Sequence, residues 1–231
     1  MFITYEEFAR RADAVRARIS EACALAGRGA GEVELLPVTK THPPAAIDYI
    51  VRYGLRSVGE NRVQEAVEKR GQASAAIGWE LIGHLQTNKA GVAVRNFDRI
   101  QSVDREKLLA TLDAAAGELG RILPILLQIN AGNDPAKFGA APADADRLLE
   151  AALARPHLRV EGLMTIPPLS SDWSVAQRTF ENLREIRDRL KSRFGLPLGV
   201  LSMGMSGDMT AAIAAGSTQV RIGRALFGSE S

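Results

Sequence analysis

The chain has 231 residues, of which 46% are hydrophobic and 24% charged, with a formal net charge of +2 at pH 7. These proportions describe a globular protein and exclude a disordered one, and so small a charge gives no reason to expect a nucleic-acid or membrane partner. The one cysteine, Cys23, cannot form an internal disulfide and sits among alanines in a helical pattern, so a packed thiol in a reducing compartment is expected.

The opening Met1-Phe-Ile-Thr-Tyr-Glu-Glu7 turns acidic without a basic leader or long apolar core, which predicts a cytoplasmic protein. Thr4 is placed to cap a helix, with Glu7 three residues later completing a capping box; the helix should run to about Ala26 and stop at Gly27 and Gly29. From there the chain alternates. Strand-like apolar runs lie near 33–39, 56–59, 79–83, 99–103, 122–129, 158–165, 200–203 and 219–222. Amphipathic helical stretches lie at 44–53, 61–76, 87–95, 105–119, 143–154, 173–194 and 209–215. Such alternation implies parallel strands with helical crossovers. Eight units in roughly 200 residues predict an α/β chain folded as one closed (β/α)8 TIM barrel, an open doubly wound sheet being the other arrangement. Residues 1–30 would be an extra N-terminal helix and 31–231 the barrel, in one domain spanning 1–231. The polar connection 130–139 is the longest after a strand, and its length points to binding or mobility rather than a domain boundary.

Active faces of such barrels are built from the C-terminal strand ends. Here these carry Lys40, Glu60 with Asn61, His84, Asp104, Asn130, Thr165, Ser206 and Gly223, a polar rim expected over an apolar barrel. In Val200-Leu-Ser-Met-Gly-Met-Ser-Gly-Asp208, Ser206-Gly207 can open a helix near Asp208, and Gly223 can open a second, short one. Unpaired N–H groups at helix openings favour an anion. Each turn alone also serves as an ordinary strand–helix connection, but together they follow strands seven and eight, where barrels commonly hold a phosphate.

Lys40 shares strand parity with Leu36 and Val38. Its stem can snorkel to solvent; held in apolar surroundings instead, its amine loses hydration and can attack an aldehyde. Arg221 alternates with Val220 and Ile222, which should face the helices, so the guanidinium is expected in the barrel mouth, paired with a structural carboxylate or with a ligand. An aldehyde-capturing lysine, a phosphate clasp and an arginine between them fit pyridoxal 5′-phosphate (PLP).

Motifs along the chain carry a resemblance. They are Val38-Thr-Lys-Thr41, Gly59-Glu-Asn-Arg-Val-Gln-Glu65, Ile82-Gly-His-Leu-Gln-Thr-Asn-Lys89, Lys137-Phe-Gly139, Gly162-Leu-Met-Thr-Ile166, Ser202-Met-Gly-Met-Ser-Gly-Asp208 and Val220-Arg-Ile-Gly223. From about residue 35 onward the chain resembles the pyridoxal phosphate homeostasis protein family, single-domain relatives of the alanine racemase barrel. The resemblance implies PLP fold type III with Lys40 as the Schiff-base lysine. It assigns Ser206, Gly207 and Gly223 to the phosphate, Arg221 to the pyridine nitrogen and Asn61 to the cofactor's neighbourhood, with His84, Met164 and Met203 lining the pocket.

Two positions depart from the family pattern: His42 stands where many relatives have a second lysine, and Arg62 where many have tyrosine. Full-length fold type III racemases add a second domain that supplies a catalytic tyrosine, whereas the three tyrosines here, Tyr5, Tyr49 and Tyr53, fall on the leading helix and the first crossover helix. The expected function is therefore a non-catalytic, monomeric PLP-binding protein of vitamin B6 homeostasis that buffers, stores or delivers the cofactor, with apo PLP-dependent enzymes as candidate partners. The alternatives are a minimal amino-acid racemase with Lys40 as its one base, and a phosphate-sensing module that binds a partner.

Overall fold

The computed structural model describes residues 2–73 and 76–228. Eight parallel strands run in order: β1 (Glu34–Pro37), β2 (Ser57–Glu60), β3 (Gly78–Leu81), β4 (Arg99–Val103), β5 (Leu123–Gln128), β6 (Leu158–Met164), β7 (Val200–Ser202) and β8 (Gln219–Ile222). A leading helix α1 (Tyr5–Leu25) precedes them. Crossovers are made by α2 (Ala45–Arg52), α3 (Val63–Gln72), α4 (Ala90–Asn96), α5 (Glu106–Glu118), α6 (Ala145–Leu153), α7 (Trp173–Phe194) and α8 (Met209–Ala214), and α9 (Arg224–Phe227) follows β8. Among the described residues no helix is long and apolar enough to cross a membrane.

Helix α1 begins and ends as its sequence requires. The Thr4 hydroxyl accepts from the Glu7 N–H at 3.2 Å, while the Glu7 carboxylate turns to Arg10 and Arg11. At the other end Gly27 takes φ 67, the Gly27 N–H reaches the Ala24 carbonyl and the Arg28 N–H that of Cys23, which satisfies carbonyls of the last turn. The stripe Phe8, Ala12, Val15, Ile19, Cys23 is buried against α8 and α9, with Cys23 a packed thiol as expected. The helix expected over 61–76 is shorter, since Ala73 is already extended, and positions 74 and 75 lie outside the described residues.

The sheet order is β1-β8-β7-β6-β5-β4-β3-β2. A bridge between Val38 and Gly59, with the Thr39 N–H donating to the Gly59 carbonyl at 3.2 Å, closes the seam between β1 and β2. The sheet is a barrel, not an open fan. The main core lies between strands and helices, where Val58, Leu81, Ile100, Leu127, Leu163, Leu201, Val220 and Ile222 meet the helical stripes.

The barrel interior corrects one expectation. Its apolar part includes the small separate cluster of Leu36, Val38 and Ile82; much of the rest is polar and hydrogen-bonded. Arg221 Nη1 donates to Ser202 Oγ (2.8 Å), Ser202 Oγ donates to Gln101 Oε1 (2.6 Å), and Gln101 Nε2 donates to Gln219 Oε1 (2.7 Å) and to Glu80. Arg99 clamps Glu80 through two bonds of 2.7 and 2.9 Å and reaches Glu161 at 3.0 Å. Buried polar side chains are tolerated there because they satisfy one another; an orphaned one costs roughly 1–3 kcal/mol.

Candidate functional site

Lys40 follows the end of β1. The register Leu36↔Arg221 and Pro37↔Ile222, continued by the Val38 N–H to the Ile222 carbonyl at 2.8 Å, lays this end of β1 along the end of β8. Gly223 is part of that fit: a Cβ there would stand 3.1 Å from the Val38 carbonyl oxygen. Lys40 is half-buried and keeps the parity of Leu36 and Val38, both in the interior cluster.

The turns after β7 and β8 meet. The Ala225 N–H in the first turn of α9 donates to Ser206 Oγ at 3.4 Å, and Arg18 of α1 donates to the Ser206 carbonyl at 3.3 Å. Ser206 is half-buried and Gly207 exposed. Asp208 braces the first turn by accepting from the Met205 N–H, and burial raises its carboxyl above the usual range. Two helix openings therefore converge on one small region beside the joined ends of β1 and β8.

Arg221 is buried and points into the barrel, as its alternation with Val220 and Ile222 implies. Its partners are carbonyls and a hydroxyl: Nη1 donates to Ser202 O (2.6 Å) and Ser202 Oγ (2.8 Å), and Nη2 to Thr165 O (2.8 Å). Those three bonds, among the described residues, leave part of its five-donor fork unused. Burial lowers its pKa to about 10, and attraction to Asp208 opposes the shift. Even so the guanidinium stays charged at neutral pH.

The remaining candidates divide. Asn61, half-buried, passes over the end of β3, where Gly83 is indispensable: a Cβ at 83 would lie 2.1 Å from the Asn61 carbonyl oxygen. Met164 pairs in register with Gln128 and Ser202 and shares the inward face of Ser202. Met203 has the opposite parity and is wholly buried in the layer between strands and helices, so it supports the wall from behind and does not line the mouth. Glu60 also turns outward, to Lys69 of α3, and is not on the rim. His84 stacks on Phe138 with ring centroids 3.8 Å apart. Its Nδ1 is buried without a hydrogen-bond partner, 3.8 Å from Asp104, and burial holds its pKa below the usual value.

Phe138 reaches His84 from the connection after β5, which is tied to itself through Asn130: its Nδ2 donates to the Asp134 carbonyl at 2.8 Å and its Oδ1 accepts from the Asp134 N–H at 3.1 Å.

Comparison with known proteins places this geometry. The chain matches the family of the alanine racemase N-terminal domain over residues 11–231. It is 39% identical over 219 residues to the pyridoxal phosphate homeostasis protein of Aquifex aeolicus (strain VF5), covering 94% of this chain and 96% of the relative. The chain belongs to the pyridoxal phosphate homeostasis protein family. The Escherichia coli (strain K12) member is 40% identical over 222 residues, 93% of each chain. The structure of PipY of Synechococcus elongatus PCC7942 with PLP bound aligns at TM-score 0.84 and 37% identity, covering 96% of this chain and all of that one. An alanine racemase of Clostridium difficile 630 shares the fold at TM-score 0.72 and 14% identity, with 84% of this chain matching 52% of it.

Within this family's pattern the replacement at His42 has a local explanation. Its ring lies 4.9 Å from that of Phe227 and 6.0 Å from that of Phe2, in an aromatic group on the helical side of the barrel. Tyr5 and Tyr49 belong to the same group, and Tyr53 stacks edge-on against its Phe8 and bonds Asp13. A feature that sequence reading missed is Lys69, a buried cation that bonds Glu60, Glu65 and the Thr39 carbonyl. Its signal was available: Lys69 falls on the stripe of Val63 and Ala66, where a charge is out of place.

Proposed function

We propose that this protein is a cytoplasmic, monomeric PLP-binding member of its family that holds the cofactor through a Schiff base on Lys40 and releases it to apo-enzymes, without catalysing a reaction of its own. The carrying observation is the convergence of Lys40, the Ser206–Ala225 contact and Arg221 at the joined ends of β1, β7 and β8. The PLP-bound PipY structure and the name shared by the curated relatives support the same reading.

The residues present fit the group. Ser206 Oγ and the N–H groups around Gly207 and Gly223 suit a phosphate. The spare donors of Arg221 suit the pyridine nitrogen, which the arginine keeps unprotonated, so the electron sink needed for carbanion chemistry is weak. Asn61, His84 and Met164 flank the space. When bound, PLP supplies an aldehyde. Lys40 Nζ, as the neutral amine, forms the C=N bond while the aldehyde oxygen leaves as water. The tyrosine hydroxyls support the non-catalytic part of the reading: Tyr49 donates to the Ile3 carbonyl and Tyr53 to Asp13, on the helical side.

The test is borohydride reduction of the PLP-loaded protein followed by peptide mapping. The pyridoxyl mass should appear on Lys40 and vanish in Lys40→Ala. Its recovery on Lys89 or Lys137 would overturn the assignment.

A further inference from the structure

We propose that Glu60, Lys69 and Glu65 are positioning residues that pin the backbone on both sides of Lys40 and so aim its amine into the barrel mouth. The inference rests on the reading of Lys40 as the covalent anchor.

Lys69 Nζ donates to the Thr39 carbonyl (2.5 Å), to Glu60 Oε1 (2.8 Å) and to Glu65 Oε1 (2.7 Å). The Thr39 hydroxyl donates to the same Glu60 oxygen, and the Thr41 N–H donates to the same Glu65 oxygen. One ammonium and two carboxylates thus hold the residue before Lys40 and the residue after it. The backbone on both sides of Lys40 is thereby tied to α3 and to the end of β2.

The backbone shows why such a hold is needed. Thr41 has φ 64, a conformation that a β-branched residue adopts only under constraint. The bond from its N–H to Glu65 supplies that constraint. The composition of the network points the same way. Glu60 is fully buried, and its Oε2 has no hydrogen-bond partner among the described residues. A buried ion pair is often no more stabilising than an apolar pair of equal volume, so stability alone does not account for these groups. Their bonds to the two neighbours of Lys40 do.

Glu65 is the residue to test, because it is partly exposed and its loss leaves the Glu60–Lys69 pair intact. Glu65→Ala removes the acceptor for the Thr41 N–H, whereas Glu65→Gln keeps a carbonyl there. Three readouts separate the possibilities: amide exchange of Thr41 in the PLP-free protein, the imine absorbance formed with PLP, and binding of pyridoxamine 5′-phosphate, which has no aldehyde. Glu65→Ala should lose protection at Thr41 and form the imine at least about tenfold less readily, the order of penalty that misplacing a reacting group brings. Its affinity for pyridoxamine 5′-phosphate should be unchanged, and Glu65→Gln should behave like the parent protein. Wild-type imine formation in Glu65→Ala would overturn the inference, and so would equal losses for both ligands. An imine missing from the parent protein, or one formed on another lysine, would instead overturn the functional reading beneath it.

Discussion

The hydroxyl of Ser206 and the backbone N–H of Ala225 lie 3.4 Å apart, joining the turn after β7 to the first turn of α9. In the proposed reading this contact joins two turns, each unremarkable alone, into one anion site. Because α9 is only a four-residue helix, the convergence matters more than its dipole. A phosphate placed here would take the Ser206 hydroxyl together with N–H groups from both turns.

Ser206→Ala should therefore weaken PLP binding by on the order of 1.5–3 kcal/mol, the worth of a hydrogen bond to a charged group, or roughly ten- to a hundredfold in Kd. Pyridoxal, which has no phosphate, should bind the variant and the parent equally. Fluorescence or absorbance titrations with both ligands check this, and equal losses would mean that the serine acts elsewhere.

Gly83→Ala should destabilise the fold and disturb Asn61 together. The added Cβ would meet the Asn61 carbonyl oxygen at 2.1 Å and its Cα at 2.8 Å, and backbone cannot yield as a flexible side chain does. Overpacking of this kind typically costs about 1–3 kcal/mol. A lowered urea midpoint with weaker PLP binding is the expected result; an unchanged midpoint would show that the two segments do not touch.

The fold was largely legible because each strand ends near glycine, proline or a polar residue and each crossover carries a helical stripe. What periodicity missed was the inside of the barrel. Glu80 alternates with Trp79 and Leu81, Gln101 follows Ile100 and Gln219 precedes Val220, and the bonds that make their burial tolerable join residues as far apart as Gln101 and Gln219. Arg221 could be read from its own strand, since Val220 and Ile222 leave it only the inner face. The same parity, applied from Ser202, turns Met203 outward, although its motif suggested a pocket residue. Lys69 escaped notice because two of its three partners, the Thr39 carbonyl and Glu60, come from other elements, the ends of β1 and β2.

His84 should make stability depend on pH with a definite sign. Burial lowers its pKa, and the attraction of Asp104 only partly offsets this. Between the lowered folded value and the ordinary value near 6.5, the unfolded chain binds more protons than the folded one, so stability rises with pH. The contribution is complete above the ordinary value and is lost as pH falls through the folded one. Urea unfolding from about pH 5 to pH 8 should show the parent losing stability on acidification faster than His84→Gln. Parallel profiles would mean that His84 titrates as it does in the unfolded chain.

The last prediction concerns amino acids offered to the PLP-loaded protein. Removing a proton from Cα requires an electron sink and a positioned base, the base alone being worth roughly 10²- to 10⁴-fold. In the proposed reading Arg221, charged at neutral pH, faces the pyridine nitrogen and weakens the sink. On the side opposite Lys40, none of the tyrosines can serve, since all three pack on α1 and α2. L- and D-alanine should accordingly exchange Cα hydrogen for solvent deuterium no faster than with free PLP. Exchange is a more sensitive probe than racemisation because it registers a single base working on one face. Rapid exchange that disappears in Lys40→Ala would make this protein an enzyme and end the carrier reading. If Arg221 is what restrains the sink, Arg221→Glu, by favouring a protonated ring nitrogen, should exchange faster than the parent while it still binds PLP.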